Sequence, residues 1–120
     1  MAALVKFPAD TRFNLCLFWD VFNYLDAAAI TGLMSALRPH LYRHSLGHGF
    51  AVHNTRSAQQ DAAFEILGEN ALKLRPRNRP LPGYAPHGQS RLKELLNCYR
   101  FERTVLLADG RLEILLRSSL

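Results

Sequence analysis

The sequence predicts one α+β domain, with N-terminal helices packed on a mostly antiparallel sheet that ends in a C-terminal β-hairpin. Three observations carry that expectation. Helical spacing of apolar residues dominates the first forty positions, alternation and turn signals dominate the last fifty, and 120 residues suit a single core. Apolar residues make up 48% and charged residues 21%, an ordinary globular composition.

Residues 12–25 read as a first helix. Leu15, Phe18, Trp19, Phe22 and Leu25 recur at helical spacing, while Asp20, Asn23 and Asp26 form a polar stripe. Asp10 or Thr11 is placed to cap its start. A second helix covers 27–38. Asp26 is its N-cap, Ile30, Leu33, Met34 and Leu37 its apolar face, and Pro39 its end.

Leu41–Ser45 and Phe50–His53 read as two short strands, turned by the glycines of Leu46-Gly47-His48-Gly49. Ser57 and Gln60 match a capping box for a third helix, with Ala63, Phe64 and Leu67 buried and Gly68 closing it. Residues 71–75 alternate like a strand. The stretch 75–88 holds four prolines and two glycines, which makes it the one long loop. Residues 90–99 read as a helix through Leu92, Leu95, Leu96 and Tyr99, with extension of the following strand as the alternative. Asp109-Gly110 between two apolar runs marks a hairpin over 101–108 and 111–117.

Charge is uneven. Residues 70–120 hold ten Lys/Arg and four Asp/Glu, a net of +6. Arg75, Arg77 and Arg79 alternate, Tyr84 lies close enough for stacking, and Arg91 follows. These four arginines are the candidate anion-binding set, for nucleic acid or an acidic protein. The competing reading is a solvated, solubilising surface. A winged-helix arrangement, with 90–99 as recognition helix, is disfavoured because its leucines mark a core face.

His40, His44, His48 and His53 raise the question of a metal. They lack ligand spacing, and the two cysteines, Cys16 and Cys98, lack zinc spacing, so no metal site is expected. No nucleophile elbow or phosphate loop is present, so no cofactor is expected and catalysis stays open. No apolar run is long enough to span a membrane. The N-terminus lacks signal-peptide features and cysteine use is sparse, so a cytoplasmic setting is expected.

The order helix, helix, short hairpin, helix, strands resembles the nuclear-transport-factor-two-like cone fold. The likeness runs from Phe18-Trp19-Asp20-Val21-Phe22-Asn23-Tyr24-Leu25-Asp26 through Ile30, Leu33, Leu37, Tyr42 and Gly47 to Phe64. The closing Arg103 to Ile114 resembles its final hairpin. That resemblance implies a curved sheet wrapped on helices, an apolar pocket and frequent homodimers, with activities ranging from isomerase to none. It transfers no catalytic residue. The leading expectation is therefore a pocket protein for a small, partly apolar ligand, lined by Trp19, Tyr24, Tyr42, His44 and Phe50. A basic binding module for nucleic acid or an acidic protein is the alternative.

Overall fold

Residues 12–25 form a strand and a tight turn, not a helix. In the computed structural model, which describes residues 7–56, 62–76 and 83–119, strand β1 runs Phe13–Trp19 and a single 3-10 turn follows at Val21–Asn23. Helix α1 (Ala27–Leu37) then leads through a 3-10 turn at Arg38–His40 into β2 (Leu41–Val52). Strands β3 (Ala62–Gly68) and β4 (Ala71–Pro76) make a separate two-stranded hairpin. Helix α2 (Gln89–Leu95), β5 (Tyr99–Leu106) and β6 (Arg111–Ser118) complete the chain.

The main sheet has the order β1-β2-β6-β5. β1 and β2 are parallel and joined across α1, a β-α-β unit; β2–β6 and β5–β6 are antiparallel. This corrects the expected class. The sheet is mixed, it begins with a strand, and it is not a curved antiparallel sheet under N-terminal helices. A parallel strand with apolar residues on both faces reads as an unbroken greasy run, and such a run matches helical spacing by accident.

One face of the sheet carries the core. Ile30, Met34 and Leu37 of α1 and Leu92, Leu95 and Leu96 at α2 meet Ala51, Leu112, Ile114, Leu116 and Tyr99 of the sheet, with Phe22 wedged between. The amphipathic spacing of α1 and its Asp26 cap are as the sequence predicts. The Asp26 Oδ1 accepts from the Ala29 N–H at 2.7 Å. Pro39 sits in the 3-10 turn that ends the helix.

β2 is one continuous strand where two were expected. Its glycines serve packing, not turning. A Cβ on Gly47 would lie 3.2 Å from Leu116 Cβ and 3.3 Å from the rings of Phe18 and Tyr99; one on Gly49 would lie 3.2 Å from the Phe22 ring. Near its start, β2 bulges. The partner of Phe13 is Leu41 and the partner of Leu15 is Leu46, so Tyr42–Ser45 is thrown outward. Buried Ser45 closes the bulge, accepting from the Tyr42 N–H and donating to the Phe13 carbonyl, both at 2.7 Å.

The expected third helix is strand β3 over its described part, while Ser57 and Gln60 lie outside the described residues. The 90–99 segment divides: α2 ends at Leu95 and β5 begins at Tyr99. The Asp109-Gly110 hairpin forms as predicted, with Gly110 at φ 90° and Asp109 accepting from the Arg111 backbone at 3.0 Å and from its Nε at 2.8 Å.

Candidate functional site at the carboxyl end of β1

In a sheet built on β-α-β units, the carboxyl ends of parallel strands are left open by the loops that climb to the crossover helices, and ligands sit there. In this chain that place is the end of β1. Trp19 closes the strand at φ 49°, a left-handed backbone for a bulky residue. Asp20 and the 3-10 turn follow. The turn is pinned from below by buried Asn23, whose Nδ2 donates to the Phe50 carbonyl at 3.4 Å.

The segment 83–88 is laced onto the same loop. The Ala85 N–H donates to the Asn23 carbonyl at 2.8 Å, and the His87 Nε2–H donates to the Leu25 carbonyl at 2.6 Å. Tyr24 and Tyr84 pack with ring centroids 5.7 Å apart. Burial, and then the neighbouring Tyr24 and Asp20, push the Tyr84 phenol above its ordinary range. Tyr84, Ala85 and His87 thus tie segment 83–88 to the loop that follows β1.

A cleft of about 500 Å³ opens beside Trp19 on the sheet face opposite the helices. Leu17, Trp19 and His48 form its floor, and Ile66, Leu72 and the Glu69-Asn70 turn of the β3–β4 hairpin cover it. Parallel pairing of Leu17 with His48 sets these residues on one face. The His48 Nε2 lies 3.2 Å from the Glu113 Oε2, and its ring meets Phe50 edge-on at 5.1 Å between centroids. The Arg111 guanidinium covers the Phe50 ring at 4.4 Å.

Of the ligand-lining residues expected from sequence, Trp19 and Tyr24 are at this end of the sheet. Phe50 is buried behind His48. Tyr42 and His44 lie in the bulge at the amino end of β2, both exposed, with His44 at φ 65°. Of the anion-binding candidates, Arg91 is exposed on α2 and pairs with Glu94 at 3.0 Å. Arg75 belongs to β4, opposite Ala63, but its side chain lies outside the described residues, as do Arg77 and Arg79. Leu17, Ile66, Leu72 and Glu113 carry no sequence mark as site residues, and His48 carries one only as one of four histidines weighed for a metal. His48 becomes legible as a cleft residue only when 41–52 is known to be a single strand.

The His40 Nδ1–H donates to the Thr11 carbonyl at 2.9 Å, and its ring packs on Phe7. Cys16 and Cys98 are free thiols, each pushed up by burial. Among the described residues no three His, Cys, Asp or Glu side chains gather as a metal site. No described helix is long and apolar enough to cross a membrane.

No protein-family model matches the sequence, and no curated protein sequence matches it. Solved structures do. PH0226 from Pyrococcus horikoshii superposes with TM-score 0.61 at 9% identity, over 99% of this chain and 57% of its own. An S-adenosylmethionine-dependent methyltransferase from Clostridium acetobutylicum gives 0.57 at 11%, over 94% and 61%. The glycopeptide N-methyltransferase MtfA with bound S-adenosyl-L-homocysteine gives 0.54 at 13%, over 92% and 57%. The chain therefore shares the α/β fold of these structures, two of which are named as methyltransferases. This overturns the cone-fold resemblance, whose pattern rested on reading β1 and β3 as helices. The chain spans only 57–61% of the length of these three proteins.

Proposed function

We propose that this chain is a small-molecule-binding α/β domain, and that a flat, partly apolar ligand enters the cleft beside Trp19. The observation that carries this reading is the placement of the cleft. It adjoins the carboxyl end of a strand in a β-α-β unit, the position that ligands favour in such sheets. Its walls suit the ligand class: aliphatic Leu17, Ile66 and Leu72, an indole, and few polar groups at His48, Glu69 and Asn70. The neighbours support it by analogy of fold, since two of the three are methyltransferases and one was solved with S-adenosyl-L-homocysteine. Methyl transfer is accordingly the reaction class proposed for the whole protein.

Trp19 is the only tryptophan, so its fluorescence reports on the cleft directly. Titration with 1-naphthol, as a planar apolar probe, and separately with S-adenosyl-L-homocysteine is the test. The expected result is saturable change of Trp19 emission by at least the planar probe, weakened by Leu72→Glu. Emission indifferent to both compounds would defeat the proposal.

A further inference from the structure

His48 belongs to two hollows. Beside the cleft at Trp19, a second one of about 310 Å³ is lined by His48, Arg103, Val105, Glu113 and Leu115. Strand register explains why they adjoin. Leu17 pairs with His48, His48 with Leu115, and Leu115 with Arg103. These four side chains therefore form one row across all four strands, on the sheet face away from the helices. Neighbouring strands lie about 4.8 Å apart, which sets Arg103 about 14 Å from Leu17. Cleft and second hollow are thus two halves of one trough that meet at the His48 ring.

The far half carries an excess of positive charge. Its one carboxylate among the described lining residues, Glu113, is engaged by the His48 Nε2 at 3.2 Å. Arg103 is exposed, and among the described residues no carboxylate pairs with it. Arg100 stands directly opposite Arg117 on the same face. Like charges in that position weaken a sheet. Glu102 answers one of the two, accepting from the Arg117 Nε at 2.5 Å. The charges of Arg100 and Arg103 stay without a described partner.

We propose that the trough takes an elongated carboxylic acid, with its planar apolar head beside Trp19 and its carboxylate on Arg103. This deepens the ligand reading above and rests on it. The head meets the indole and the aliphatic side chains of the cleft. The middle of the molecule crosses Leu115, so an aliphatic tether suits it. The carboxylate finds a planar guanidinium fork that accepts it through two parallel hydrogen bonds. A singly charged group fits better than a phosphate, because Glu113 in the same hollow repels each added negative charge. A cationic tail would face Arg100 and Arg103, and a neutral one would gain nothing from them.

The experiment compares 4-(1-naphthyl)butanoic acid with 4-(1-naphthyl)butan-1-ol by isothermal titration calorimetry, with Trp19 emission recorded in parallel. The two probes share head and tether and differ in the charge at the end. The acid is expected to bind about tenfold tighter at low salt, an advantage that shrinks as sodium chloride is raised to about 0.5 M. Arg103→Gln should bring the acid down to the affinity of the alcohol and leave the alcohol unchanged. Arg91→Gln, on α2 in the opposite layer, should leave the advantage intact. Should Arg103→Gln not fold, the wild-type comparison at low and high salt decides alone. Equal affinities for acid and alcohol, or an advantage that survives in Arg103→Gln, overturn the proposal and leave the ligand reading standing. Absence of heat and of any Trp19 response with both probes defeats the ligand reading and this inference with it.

Discussion

His48 Nε2 and Glu113 Oε2 meet at 3.2 Å across neighbouring strands, on the sheet face that no described helix covers. The pair is half in solvent, with side chains 24% and 43% exposed. Its Coulomb worth is therefore small, on the order of 0–1 kcal/mol. Its geometric worth is larger, because Glu113 and Phe50 together fix the ring that forms one wall of the cleft.

Glu113→Ala should consequently separate the two effects. Unfolding by urea is expected to shift by less than about 1 kcal/mol. Affinity for 1-naphthol, read by Trp19, is expected to fall several-fold. Unchanged affinity would show that the ring needs no such hold.

Gly47 tests the packing of the core face. A Cβ there meets three groups at 3.2–3.3 Å, one of them the Cβ of Leu116 on a neighbouring strand, which cannot swing aside. Gly47→Val is expected to cost about 1–3 kcal/mol by overpacking, with Gly47→Ala costing less. Urea midpoints measure both. A neutral Gly47→Val would mean that β2 and β6 separate freely.

These two positions also show what the sequence could and could not reveal. Local chemistry was legible. Asp26 caps α1, and Asp109-Gly110 turns a hairpin, because each acts on residues within three or four positions. Non-local roles were not. Gly47 and Gly49 look like turn residues until Phe18, Phe22, Tyr99 and Leu116 are brought against them from other elements. Leu15 and Phe18 fit a helix as well as a strand, since β1 is apolar on both faces. His48 was indistinguishable from its three sister histidines until the Leu17 and Glu113 strands flanked it. Trp19 and Tyr24 were visible as aromatic candidates, while Ile66 and Leu72 lay in segments with no site signal.

Asp26→Ala should cost about 1 kcal/mol, the typical worth of an N-cap hydrogen bond, while Asp26→Asn should retain most of it. Helical circular dichroism during urea unfolding is the measurement. Equal losses in both variants would point to charge and not to the accepted hydrogen bond.

Alkaline pH gives the last test. Burial raises the thiol pKa of Cys16 and Cys98 and the phenol pKa of Tyr99, whose side chains lie together on the core face. Each group is neutral when protonated, so the folded state holds its proton more tightly than the unfolded chain does. That stabilisation is fully present below the unfolded values, roughly 8.5 for a thiol and 10 for a phenol. It is lost as pH climbs through them, since only the unfolded chain then gives up the protons. Stability should be insensitive to these groups below about pH 8 and should fall steadily from there to pH 11. In the Cys16→Ala, Cys98→Ala double variant the fall should begin later, near the phenol range, because the raised phenols of Tyr99 and Tyr84 still contribute. Urea midpoints measured at half-unit steps of pH compare the two proteins. A decline of the same onset and slope in both would remove the thiols from the account.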